Sequence, residues 1–181
     1  MKDLSMHILD IIQNSVRANA STIDLNIIED KDADLFKIII HDDGDGMDVD
    51  TLNKVLDPFF TTRTTRKVGL GLPLLKQNAE RTGGYMTINS ELGEGTETKA
   101  VFSYFNIDRP SLGDMPGTIT VLVGANPDIR FNYVHKTEDG EFLFDTEEVK
   151  EALDGVPINN AEILMYLRDM IKENLQAINV D

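Results

Sequence analysis

The sequence predicts a mixed α/β protein, and three observations carry that prediction. Segments with helical spacing of apolar residues interleave with short β-branched runs, and Gly or acidic turns punctuate them. The chain is 181 residues long with 41% hydrophobic and 27% charged residues, the composition of a globular protein with a packed core. It has no Cys, so neither a disulfide framework nor a thiolate metal site organises it.

Residues 5–19 read as a helix, with Ile8, Leu9, Ile11, Ile12 and Val16 on one broad face and Asp3 or Ser5 as the cap. Two strands follow at Thr22–Ile28 and Leu35–His41, joined by an acidic turn. The string Asp42-Asp43-Gly44-Asp45-Gly46-Met47 ends the second strand, and helical spacing resumes over 50–56. Residues 57–68 have no period and read as a loop. A helix over 70–81 stops at Thr82-Gly83-Gly84, where Gly accepts the left-handed conformation. Tyr85–Glu91 and Thr96–Tyr104 are strands around Leu92-Gly93-Glu94-Gly95. A boundary near Asp108-Arg109-Pro110 divides the chain into 1–108 and a 109–181 extension. The extension reads as strands at 118–123, 129–136 and 141–144, then helices at 146–153 and 161–178, packing on the first part.

Net charge is −15, and residues 111–181 hold 14 acidic against 5 basic side chains. Such a surface excludes a general affinity for nucleic acid or anionic membrane. No apolar run approaches the ~20 residues of a membrane span, and the amino terminus has no cleavage pattern, so a cytoplasmic protein is expected. Three scattered His make no zinc site.

Three strings carry chemistry. On the first helix, His7, Asp10, Asn14 and Arg17 fall within roughly 80°. A carboxylate and a carboxamide suit magnesium and a guanidinium suits phosphate, although the same stripe also fits a solvated face with an Asp–Arg pair. In the 42–47 string, alternate Gly let a ligand approach the backbone, and a strand-end carboxylate can accept from an exocyclic amine. A plain turn is the other reading. A calcium loop is excluded, because Leu52 and Asn53 stand where it needs Glu. Third, Thr61-Thr62-Arg63-Thr64-Thr65-Arg66-Lys67 runs into Gly69-Leu70-Gly71-Leu72, so a basic loop leads to the unpaired N–H groups of a helix start.

Taken in order, these strings resemble the boxes of the gyrase, heat-shock chaperone, histidine kinase and mismatch-repair (GHKL) ATPase superfamily. Asp10–Asn14 is similar to its Asn box, Asp42–Gly46 to its first glycine box, and Gly69–Leu72 to its second. Residues 57–62 resemble the Phe-containing box of sensor kinases, and Gly93–Thr96 the last box. The resemblance covers about residues 4–104 and implies an α/β (α+β) two-layer sandwich of the Bergerat ATP-binding type, a mixed sheet with helices on one face. It implies ATP and Mg2+ as cofactors, with Asn14 on the metal and Asp42 on the adenine amine. Thr96 would support Asp42 through water, Gly44, Gly46 and Met47 would border the base, and Thr61, Thr62, Lys67, Gly69, Leu70, Gly71 and Leu72 would serve the lid and phosphates.

The two branch markers diverge. Arg17 stands where histidine kinases usually have Lys, which favours a kinase. Asp10 stands where the hydrolysing branches place a catalytic Glu and is one methylene shorter. The leading expectation is an ATP-dependent histidine or serine kinase whose acceptor lies in another protein, since this chain begins at the Asn box and its own His look structural. The alternatives are an ATP-hydrolysing clamp with Asp10 as base, and a nucleotide-gated regulatory module without turnover. The string 107–114 weakly resembles small proteins encoded beside iron–iron hydrogenase subunits, which would imply a redox-enzyme partner.

Overall fold

The computed structural model describes residues 2–57 and 70–180. Within them lie helices α1 (Leu4–Arg17), α2 (Val49–Lys54), α3 (Gly71–Arg81), α4 (Met115–Ala125), α5 (Thr146–Leu153) and α6 (Ala161–Ala177). The strands are β1 (Thr22–Asp30), β2 (Leu35–Asp42), β3 (Tyr85–Glu91), β4 (Gly95–Ser103), β5 (Arg130–Thr137) and β6 (Gly140–Asp145). They form one mixed sheet in the order β3-β4-β2-β1-β5-β6, antiparallel except for β1 beside β5.

Alternation along each strand builds the layer. Ile23, Leu25 and Ile27 of β1, Phe36, Ile38 and Ile40 of β2, Ala100 and Phe102 of β4, and Phe131 and Tyr133 of β5 are all buried. Their register partners place them on the same face, where Ile8, Ile11 and Ile12 of α1 and Leu75 and Ala79 of α3 join the same core. The residues between them in the strands are polar or half-buried, for example Asp24, Asn26 and Lys37. This two-layer α+β arrangement is the one implied by the superfamily resemblance.

The extension is knitted into the front of the chain. Carbonyls of Ser111 and Leu112 accept from Leu4 N and Ser5 N at 2.9 and 2.8 Å, satisfying donors that a helix start leaves unpaired. Asp3 caps the same turn through Met6 N. Arg109 stacks its guanidinium 4.7 Å from the Phe36 ring centroid and 4.8 Å from that of Tyr104. At the β1–β5 seam a buried chain of hydrogen bonds runs from Tyr133 Oη to His135 Nδ1 (2.6 Å) and from His135 Nε2 to Glu29 Oε1 (2.7 Å).

One predicted element is of the wrong kind. Residues 118–123, expected as a strand, lie in helix α4. The β-branched run Thr-Ile-Thr-Val suggests a strand, but Asp114 caps the helix by accepting from Gly117 N, and Pro116 sits in the first turn. Thr120 satisfies its hydroxyl on the Pro116 and Gly117 carbonyls, and Met115, Ile119, Leu122 and Val123 are buried. Burial overrides propensity here. The extension therefore runs helix, two strands, two helices.

Because the sheet is continuous, Ile171→Ala, which deletes a side chain with no exposed surface, should destabilise the whole chain by about 2–5 kcal/mol. Urea unfolding followed by far-UV circular dichroism should show one transition at a lower midpoint. A separate early transition of the extension would contradict this.

Candidate functional site

A cavity of about 310 Å³ opens between α1, the end of β2, α2 and the start of α3. That volume lies at the lower end of small-molecule sites. Asp10, Asn14, Arg17, Asp42, Gly46, Met47, Gly71, Leu72 and Thr96 all line it, so most of the sequence-selected residues do converge.

Asp42 lies at the floor. It is the last residue of β2 on the core-facing side and only 5% exposed. Its Oδ2 accepts from Ser15 Oγ at 2.5 Å and its Oδ1 from Gly44 N at 3.0 Å, so the carboxylate is fixed while lone pairs remain. Thr96 pairs with Asp42 in the β2–β4 register, and its hydroxyl lies 2.8 Å from Ser90 Oγ. Ser90 in turn accepts from Met47 N at 2.9 Å.

The turn after Asp42 is held on both sides. Asp45 N donates to the Ala18 carbonyl and Gly93 N to the Asp45 carbonyl, each at 2.7 Å, while Asn19 Nδ2 donates to Asp45 Oδ2 at 2.8 Å. Gly46 adopts φ +68°, and a Cβ there would fall 1.9 Å from the Glu91 carbonyl oxygen. A Cβ at Gly44 would meet the Ala18 carbonyl oxygen at 2.7 Å. The glycines thus let the turn lie flat against α1 and the β3–β4 hairpin.

At the opposite end, Arg17 donates through Nη2 to Asn14 Oδ1. A Cβ on Gly71 would lie 1.8 Å from Asp10 Oδ2, so the carboxylate rests against the first residue of α3. Leu70 caps α3 without a side-chain hydrogen bond and is exposed. Among the described residues no group of three metal-ligating side chains occurs. Magnesium rarely needs one, because one or two protein oxygens and substrate phosphates commonly suffice. Thr61, Thr62, Lys67 and Gly69 lie outside the described residues, as does the 58–62 part of the Phe-containing string.

Sequence reasoning missed Ser15 and Ser90. Ser15 had a signal, since a hydroxyl one turn after Ile11 and Ile12 interrupts the apolar face of α1. Ser90 had none, because it belongs to the site only through strand register. His7 differs from expectation too: it is 1% exposed and absent from the cavity wall.

The family of histidine kinase-, DNA gyrase B- and HSP90-like ATPases matches residues 2–106. The chain is 34% identical over 104 residues to a putative sensor protein of Shewanella frigidimarina, covering 56% of this chain and 16% of that protein. It is 39% identical over 69 residues to the sensor kinase CckA of Brucella abortus, 38% of this chain and 7% of that one. The chain thus matches a small segment of these longer proteins. Among solved structures, the Aquifex aeolicus MutL ATPase domain complexed with ADP superposes with a TM-score of 0.53 at 16% identity, over 85% of this chain and 70% of that one. That likeness shows a shared fold.

Asp43 backs the site. Burial acts to raise its carboxyl, but the Ser21 hydroxyl and the Thr22 and Ser21 amides outweigh it and hold the group below the usual range. A lowered folded pKa stabilises the fold above the ordinary carboxylate value of ~4, and that stability is lost as pH falls through the folded value. Ser21→Ala should therefore destabilise at neutral pH, with the difference from wild type shrinking below pH ~4. Urea melts across pH check this; a pH-independent difference would refute it.

Proposed function

The chain belongs to the histidine kinase-, DNA gyrase B- and HSP90-like ATPases, and from that premise we propose that it is a magnesium-dependent, ATP-binding protein kinase of the cytoplasm whose phosphoacceptor lies in another chain. On this reading residues 1–108 are the nucleotide module and 109–181 a docked extension. The observation that carries the proposal is Asp42, a nearly buried carboxylate at the floor of a glycine-lined cavity, oriented by Ser15 and Gly44 N and able to accept a further hydrogen bond. A buried acceptor of this kind selects a donor such as an exocyclic amine.

The residues present fit the two cofactors. Gly44, Gly46 and Met47 shape the base end; Asn14 offers a hard oxygen for the metal, and Arg17 a planar cation for phosphate. Thr61, Thr62, Lys67, Gly69, Leu70, Gly71 and Leu72 belong to the phosphate end in this proposal. The bound metal would neutralise phosphate charge, while these side chains position the terminal phosphoryl group. The kinase assignment draws on Arg17 and on the relative named as a sensor kinase, CckA of Brucella abortus. An acceptor in trans is favoured by the burial of His7 and His135; His41, 3.6 Å from Asp24, is the exposed His that the self-labelling test below addresses.

One observation favours the second reading, an ATP-hydrolysing clamp. The Asp10 carboxylate rests against Gly71 at the start of α3, where a general base for water would be placed.

Asp42→Asn presents a donor in place of an acceptor and should weaken ATP binding by about a hundredfold or more; retained affinity in calorimetry would remove the adenine assignment. Asn14→Ala should weaken it about tenfold with magnesium and little in EDTA. Equal loss in both would remove the metal role. With γ-labelled ATP and magnesium, the purified chain should neither release phosphate steadily nor label itself. Self-labelling would place the acceptor in this chain, and steady release lost in Asp10→Asn would establish the clamp.

A further inference from the structure

His7 is a polar side chain with no role in the site as described above, yet it sits one turn before Asp10 on α1. Its ring is 1% exposed. Nε2 lies 3.1 Å from Asn78 Nδ2 on α3, two turns beyond Gly71. Nδ1 is enclosed and, alone among the buried side-chain nitrogens and oxygens of the described residues, makes no well-formed hydrogen bond, the Gly71 backbone being the hydrogen-bonding group that acts on the ring besides Asn78. An apolar side chain would fill this space without stranding a nitrogen, so core packing does not account for an imidazole.

Its neighbours do account for it. With Asn78 Nδ2 as donor, Nε2 accepts and the ring proton sits on Nδ1. Burial lowers the ring's pKa, opposed by the Gly71 backbone and by the charges of Asp10 and Asp3, so the neutral ring is the working form. The same helix pair meets again at Gly71, where there is no room for a Cβ beside Asp10. One hydrogen bond and one close approach thus set the relative placement of α1 and α3. The first belongs to the imidazole, and the other bears on the N–H groups that open α3.

We propose that His7 is a positioning residue for the phosphate end of the nucleotide site: its buried ring ties α1 to Asn78 and the start of α3, fixing Gly71 against Asp10. The inference rests on the nucleotide reading above. It acts at one end of the site only, because the Asp42 floor is held separately by Ser15, Gly44 N and the β2–β4 register. An error of a few tenths of an ångström at the start of α3 would misdirect its N–H groups without touching the base.

The test compares ATP with adenosine, with magnesium, in calorimetry on the full chain. His7→Leu keeps the volume and removes both nitrogens; it should weaken ATP about tenfold and leave adenosine within about twofold. Asn78→Leu should give the same selective loss, and carries the test if His7→Leu does not fold. His7→Gln, which can restore the bond to Asn78, should recover ATP affinity to within about threefold. Unchanged ATP binding in both Leu variants overturns the proposal. So does an equal loss of ATP and adenosine, which would mark His7 as a fold residue only, or a Gln variant as weak as Leu. A wild-type chain that binds neither ligand overturns the nucleotide reading itself. If wild type binds both and Asp42→Asn loses both, that reading stands and the Leu variants alone decide the role of His7.

Discussion

The hydrogen bond between Ser15 and Asp42 is the constraint from which the rest of the site follows. It crosses from α1 to the last residue of β2 inside the core, where a carboxylate unpaired on both oxygens would be costly to bury. Tying one oxygen to Ser15 and the other to Gly44 N fixes the helix against the strand end and turns the chain sharply away. Asn14 and Asp10 then face the cavity because Ser15, on the neighbouring stripe, faces inward. The 42–47 turn must pass under Ala18 and over the β3–β4 hairpin, which leaves no room for side chains at positions 44 and 46.

The extension bears on the same helix. Its first residues satisfy the opening N–H groups of α1, β5 extends the sheet beside β1, and α4 packs against α1. The buried Tyr133–His135–Glu29 chain sits at that seam and pins the register of a parallel pair that side-chain alternation alone would define less firmly. The helix that carries Asp10, Asn14 and Arg17 is thus held by β2 at one end and by residues 111–112 at the other. Displacing the extension would remove contacts that hold the helix forming one wall of the cavity.

Much of this was legible in the sequence because local chemistry dictated it. Period and glycine spacing predicted α1, α3, the β3–β4 hairpin and the 42–47 turn within a residue or two, and most of the selected site residues line one cavity. The failures have two causes. Residues 118–123 have strand propensity, and only Asp114, Pro116 and the apolar faces of α1 and α6 make them helical. His7 shares an angular stripe with Asp10 and Asn14, but α3 crosses above it and buries it. Ser90 joins the site through pairing with a residue six positions away. For His7 and Ser90 the deciding partner lies on another element, where periodicity carries no information; for residues 118–123 the Asp114 and Pro116 signal is local, and the β-branched run masked it.

The most direct test of the account is a structure of the chain with a non-hydrolysable ATP analogue and magnesium. The account predicts the adenine amine within hydrogen-bond distance of an Asp42 carboxylate oxygen, and the phosphates toward Asn14 and the start of α3. A nucleotide bound elsewhere, or one whose base does not reach Asp42, would contradict it.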